Sequence, residues 1–76
     1  MKIESTETKE PLLGETVVVE MAGPSGNAYS IMGAVASALR RNGRGDLVAD
    51  YHRRATSGDY ENLLKVSEEF VTIMRV

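Results

Sequence analysis

The spacing of hydrophobic and polar positions changes along the chain and outlines two strands. Residues 15–21 (ETVVVEM) are rich in β-branched side chains and alternate, with Val17, Val19 and Met21 on one side. Such alternation predicts a strand with one buried face. Residues 70–76 (FVTIMRV) alternate in the same way and predict a second strand at the end of the sequence.

A first helix is predicted after the loop 22–27, which holds two glycines and a proline. Ser25 or Asn27 can cap its start by accepting a backbone N–H. Gly43 supplies the left-handed residue that ends it. Between the cap and Gly43, apolar positions recur at helical spacing, at Ala28, Ile31, Met32, Val35, Ala36 and Leu39.

Two further helices are predicted before the second strand. One begins near Asp46 and turns Leu47, Val48, Tyr51 and Ala55 inward. Gly58 ends that helix and Asp59 caps the next. The third helix is short, and its inward positions are Tyr60, Leu63, Leu64 and Ser67.

The order strand, helix, helix, helix, strand predicts an α+β fold. We expect a small antiparallel sheet of two or three strands, packed on about three short helices. Residues 13–76 form a single compact domain in this interpretation, and residues 1–12 are a polar tail or an edge strand. Two strands alone make a poor sheet. Either residues 2–8 add a third strand or two copies pair edge to edge, and we favour a homo-oligomer.

Composition sets further bounds. The chain has 76 residues, of which 42% are hydrophobic and 26% charged, and it has no cysteine. One small globular domain without disulfides or thiolate metal sites is therefore expected. No apolar run reaches the ~20 residues of a membrane span, and the polar start is unlike a signal peptide. We expect a soluble, cytoplasmic protein with no membrane partner.

The net charge of −2 is unevenly distributed. Residues 1–26 carry two lysines against five glutamates, and residues 57–76 carry two cations against four acids. Residues 27–56 carry five arginines against two aspartates. Only this middle segment can attract a phosphate or an acidic partner. The alternative is that the basic middle folds back against its own acidic flanks.

The loop-to-helix junction GPSGNAYS is the first candidate binding site. Glycines before a helix leave backbone N–H groups free to point at an anion, and the helix dipole adds to the attraction. Ser25, Gly26 and Asn27 could bind a phosphate or a base edge, and Tyr29 could stack on a ring. The junction lacks the lysine of a Walker loop and the spacing of a dinucleotide fingerprint. The alternative is a well-capped helix after a tight turn.

A basic cluster is the second candidate binding site. Guanidinium groups match phosphates and carboxylates bidentately, so the cluster could hold a nucleotide or an acidic protein surface. The alternative is a solvated face with cations matched to helix dipoles. The members are Arg40, Arg41, Arg44, His52, Arg53 and Arg54, with the five arginines as the candidate ligand-binding residues.

The residues do not favour catalysis. No cysteine nucleophile is present, and no serine lies in a recognisable nucleophile elbow. His52 is the only histidine, and the spacing from Asp50 does not place both on one helical face. We therefore expect a non-enzymatic protein with no catalytic residues, no metal site and no cofactor.

Two segments resemble a group of small, uncharacterised bacterial and phage proteins. These are GNAYSIMGAVASALRRNG at 26–43 and ATSGDYENLLKVSEEFV at 55–71. The shared pattern is GNA, an I-M-G helix, a basic LR pair, SGDY and LL, before a V-rich strand. The resemblance implies a small accessory protein of phage or mobile-element type, and it implies no mechanism.

These observations predict a binding or regulatory protein. It would bind a host protein or sequester an anionic, phosphate-bearing small molecule. The alternative is nucleic-acid binding through the arginine-rich corner, against which the isoelectric point near 5.3 counts. An enzymatic role for Ser25 or His52 on a phosphorylated ligand is a third hypothesis.

Overall fold

The computed structural model describes residues 10–20, 22–23 and 26–76. The expected strand at 2–8, and the predicted contributions of Met21 and Ser25, lie outside the described residues. The observed elements are β1 (Thr16–Val19), α1 (Ala28–Arg41), a short 3-10 turn (Gly45–Leu47), α2 (Val48–Ala55), α3 (Tyr60–Ser67) and β2 (Thr72–Arg75). The predicted order of strands and helices is confirmed.

Helix α1 begins and ends at the predicted residues. The Asn27 side chain accepts the backbone N–H of Ser30 at 2.8 Å and caps the helix. Gly43 adopts a φ of 75°, in the left-handed region that favours glycine, and turns the chain away from the helix. Arg40 and Arg41 occupy the last turn, where cations match the dipole.

Helices α2 and α3 are joined by a short turn at Gly58. The Asp59 side chain accepts the backbone N–H of Asn62 at 3.0 Å, as predicted for the cap of α3. The Asn62 amide donates back to the carbonyl of Arg54 at 2.9 Å and ties the start of α3 to the end of α2. The relative position of the two helix ends is therefore fixed by side-chain hydrogen bonds.

The two strands are parallel, so the predicted antiparallel sheet is wrong. Thr16 lies opposite Thr72 and Val19 opposite Arg75. A parallel pair needs a crossover connection, whereas an antiparallel pair can be joined by a short turn. The three helices between the strands are that crossover. Antiparallel pairs are the commoner kind, and the sequence of a strand does not state its direction.

Backbone hydrogen bonds between the two segments begin before the strands and continue after them, where the N–H of Val76 donates to the carbonyl of Val19 at 2.9 Å. The N–H of Leu13 donates to the carbonyl of Phe70 at 2.8 Å, and the N–H of Thr72 donates to the backbone carbonyl of Glu15 at 2.9 Å. Leu13 is consequently buried beside β2. The N–H of Leu12 likewise donates to the carbonyl of Glu69 at 2.9 Å, so the backbone before β1 is bonded to the backbone before β2 from Leu12 onward.

The core lies between one face of the sheet and the three helices. Val19 and Val71 from the sheet side and Leu39 from α1 are fully buried. Tyr51 of α2 packs edge-on against Phe70, with ring centroids 5.4 Å apart. Burial raises the pKa of the Tyr51 hydroxyl above its usual value.

The helices in the described part of the chain are short. None of them combines the length and the apolar character needed to cross a membrane.

Candidate functional site

A cleft of about 500 Å³ lies where the ends of the three helices meet. Its volume is in the range of small-molecule pockets. The start of α1, the end of α2 and the start of α3 each provide a wall. The lining residues are Ala28, Tyr29, Met32, His52, Ala55, Thr56, Gly58, Asp59, Tyr60 and Leu63.

The floor of the cleft is apolar and belongs to the core. Met32, Ala55 and Leu63 line the cleft and are buried among the core residues. Polar groups come from the α2–α3 turn and the adjoining helix ends, where His52, Thr56 and Asp59 lie. An apolar floor with polar groups at the margin suits a ligand that buries an uncharged body.

Tyr60 fixes the distance between two walls of the cleft. Its hydroxyl donates a hydrogen bond to the carbonyl of Gly26, just before α1. The backbone at Gly26 is buried at this contact. The Thr56 hydroxyl donates to the carbonyl of His52 at 2.8 Å and closes the end of α2. These hydrogen bonds within the chain fix the residues that line the cleft.

Tyr29 stands at the margin of the cleft with 83% of its surface exposed. Among the described residues, none forms a hydrogen bond with its hydroxyl. Asn27, two residues earlier, caps the helix, and Tyr29 takes no part in the cap. The exposed ring is available to a ligand.

The two predicted binding sites lie at opposite ends of α1. Gly26, Asn27 and Tyr29 are at its start, whereas Arg40 and Arg41 are in its last turn. A helix of 14 residues is about 21 Å long. Arg44 follows that far end, and neither Arg53 nor Arg54 is among the residues that line the cleft. The arginines therefore do not close over the loop at the start of α1.

Four of the five candidate arginines contact carboxylates of the same chain. Arg41 contacts Glu15 at 2.5 Å, and Arg54 contacts Glu69 at 2.7 Å. Both pairs join the basic middle segment to an acidic flank, as the alternative interpretation of the charge distribution expected. The remaining contacts are short-range, between Arg44 and Asp46 and between Arg53 and Asp50.

The pair between Glu15 and Arg41 makes the stability of the domain sensitive to acid. Hydrogen bonds from Arg41, and then from Asn42, lower the pKa of the Glu15 carboxyl. A lowered pKa in the folded state contributes stability above the unfolded pKa, and this contribution is lost as pH falls through the folded pKa. We expect Glu15→Gln to lower the melting temperature at pH 7 and to leave it unchanged near pH 2.

The matched control for this change is Glu10→Gln, which neutralises an exposed glutamate outside the helices and strands. Melting temperatures measured by circular dichroism between pH 2 and 7 compare the two variants with the wild type. A Glu15→Gln curve parallel to the wild-type curve over this range would show that the pair does not contribute.

The described residues contain no group of three or more His, Cys, Asp or Glu side chains that could hold a metal ion. His52 is exposed beside the cleft, and no described carboxylate forms an ion pair with it. The Asp59 carboxylate accepts the backbone N–H of Asn62 in its capping role. The side chains that line the cleft can make apolar contacts and hydrogen bonds.

Sequence reasoning identified Tyr29 but missed the rest of the cleft. His52 was assigned to the basic cluster, and Met32 and Leu63 to the inward faces of their helices. Tyr51 is fully buried, in line with its predicted inward position, and it does not line the cleft. The SGDY segment was the available signal, since Gly58, Asp59 and Tyr60 all line the cleft.

Comparison with known proteins adds no relative from which a function could be transferred. No protein-family model, no curated protein and no solved structure matches this chain.

Proposed function

We propose that this chain is a non-enzymatic binding protein whose cleft receives an aromatic side chain of a partner protein. The observation that carries the proposal is the Tyr29 ring, 83% exposed at the margin of an apolar cleft. Tyrosine is enriched at protein interfaces because it combines a large apolar body with a polar tip. The partner would be a host protein if the chain is an accessory protein of phage or mobile-element type.

The composition of the cleft favours an aromatic ring over a charged group. Met32 and Leu63 provide the apolar floor, and a methionine sulfur interacts well with the edge of a ring. A ring inserted above them would lie beside Tyr29, in reach of offset or edge-to-face contact. The His52 imidazole and the Thr56 hydroxyl offer hydrogen bonds at the margin.

A phosphate-bearing ligand has less support. The cleft includes the Asp59 carboxylate, and among the described lining residues neither arginine nor lysine is present. Nucleic-acid binding through the arginine corner has less support for a related reason. Four of its five guanidinium groups already contact carboxylates, and these would have to be displaced by phosphates.

Binding of an aromatic ring in the cleft is tested by titrating the chain with N-acetyl-phenylalaninamide. The titration is monitored by the NMR chemical shifts of backbone amides and side-chain methyl groups. We expect shifts concentrated on Ala28, Met32, Ala55 and Leu63, with an affinity in the millimolar range typical of one small apolar group. Tyr29→Ala should weaken the binding by about threefold to tenfold, because one aromatic contact contributes about 0.5–1.5 kcal/mol.

The matched control is Val76→Ala, which trims another exposed apolar residue, at the end of the sequence. It should leave the affinity unchanged. Adenosine monophosphate serves as the probe that carries both a ring and a phosphate, and we expect weaker binding from it. Tighter binding of the nucleotide would favour sequestration of a phosphate-bearing ligand. Shifts spread over the whole surface, or unaffected by Tyr29→Ala, would contradict a binding role for the cleft.

A further inference from the structure

The side of the sheet turned away from the helices carries no charge along its two strands. Alternation places Thr16 and Val18 of β1 on this side, with Thr72 and Met74 of β2 directly opposite them. Val76 follows two residues after Met74. We call these five residues the outer face, and all five are exposed.

The apolar members of the outer face are substantially open to solvent. Val18 is 52% exposed, Met74 51% and Val76 67%. Val18 and Met74 are register partners, so their side chains form one continuous surface. Parallel sheets are almost always covered on both faces. This parallel pair is covered by the helices on one face and, in the described part of the chain, bare on the other.

Residues 1–9 offer little apolar surface that could cover the outer face. Apart from Met21, Pro24 and Ser25, the residues outside the description are 1–9, with the sequence MKIESTETK. Only Met1 and Ile3 in that segment are apolar, and four of its nine residues are charged. A strand of this composition would cover Val18 and Met74 with mostly polar atoms. The polar groups of that strand would lose contact with water without gaining hydrogen-bond partners from these apolar side chains.

A second copy of the chain offers an identical face, which is uncharged around Val18 and Met74 and is bordered by the exposed Glu20 just after β1. In a two-fold arrangement the same surface is used by both subunits, so apolar residues meet apolar residues by symmetry. Two sheets that pack face to face lie about 10 Å apart and share one layer of side chains. We propose that this chain forms a homodimer in which the outer face of one copy packs on the outer face of the other.

The proposal is independent of the cleft, which is built from the helix ends rather than from the sheet. A standard interface buries about 800 Å² on each partner. The outer face of two four-residue strands is smaller than this and would form only the central part of a standard interface. We therefore expect a reversible dimer with a dissociation constant in the micromolar range, and not an obligate one.

Sedimentation equilibrium of the unaltered 76-residue chain, from about 1 µM to about 1 mM, tests the dimer. The average mass should rise from the 8.3 kDa of one chain toward twice that value. A mass that stays at one chain up to the highest concentration would overturn the proposal. So would nuclear Overhauser contacts between the Met74 methyl and residues 1–9 within a single chain.

Variants locate the interface. Val18→Lys and Met74→Lys each place a charge at the centre of the outer face, and in a two-fold dimer the charge enters twice. Each should raise the dissociation constant at least tenfold, at unchanged helical content by circular dichroism. Ala49→Lys adds the same charge at an exposed alanine of α2 and should have no effect. A wild-type dimer that all three variants retain would overturn the assignment to this face.

Discussion

Tyr51→Phe is expected to destabilise the domain by about 1–3 kcal/mol, although it removes a single oxygen atom. The Tyr51 hydroxyl and the Ser67 hydroxyl share a hydrogen bond of 2.7 Å, and both side chains are fully buried. Loss of the tyrosine oxygen leaves the serine hydroxyl buried without this partner. A chain of this length has a total stability of only about 4–11 kcal/mol, so the loss is a large fraction.

Urea unfolding of the two single variants and the double variant measures this pair. Ser67→Ala should also destabilise, because it leaves the tyrosine hydroxyl without its serine partner. Tyr51→Phe combined with Ser67→Ala should cost less than the sum of the single changes, since no orphaned hydroxyl remains. Tyr29→Phe removes a hydroxyl from an exposed tyrosine and should change the free energy of unfolding very little. Additive single effects would contradict the account of a coupled buried pair.

Leu39→Ala is expected to cost about 2–5 kcal/mol of the free energy of unfolding. Leu39 lies in the last turns of α1 and is fully buried in the core between the sheet and the helices. Truncation removes three carbon atoms from a packed interior and leaves a cavity. A loss at the upper end of this range would exceed the lower end of the ~4–11 kcal/mol expected for the stability of the whole chain.

The matched control for Leu39→Ala is Leu12→Ala, which removes the same atoms from an exposed side chain. Its effect on urea unfolding should be below about 1 kcal/mol, since only part of the side chain is removed from contact. Equal effects of the two variants would mean that the core is not organised around α1 as described.

The elements of the fold were predictable because their signals are local. Alternation around Val17 and Val19 predicted β1, and side-chain caps at Asn27 and Asp59 fixed the starts of α1 and α3. The direction of β2 relative to β1 was not predictable in this way. It depends on how the three helices cross the sheet, and no residue in β2 encodes that path.

The cleft could not be predicted for a similar reason. Tyr29, His52 and Tyr60 are distant in sequence, and each alone is compatible with a surface or core position. Two hydrogen bonds join the helix ends that carry them, from Tyr60 to Gly26 and from Asn62 to Arg54. Arg40 and Arg41 do not reach the loop, because they lie in the last turn of α1 and the loop lies before its first residue.

Intermolecular nuclear Overhauser contacts from N-acetyl-phenylalaninamide to methyl groups of the full chain test the proposed binding role most directly. The account predicts contacts from the aromatic ring of the probe to the Met32 and Leu63 methyls in the floor of the cleft. Contacts to the Val18 and Met74 methyls would instead assign ligand binding to the outer face of the sheet. That result, or the absence of contacts at a saturating concentration of the probe, would contradict the proposed function.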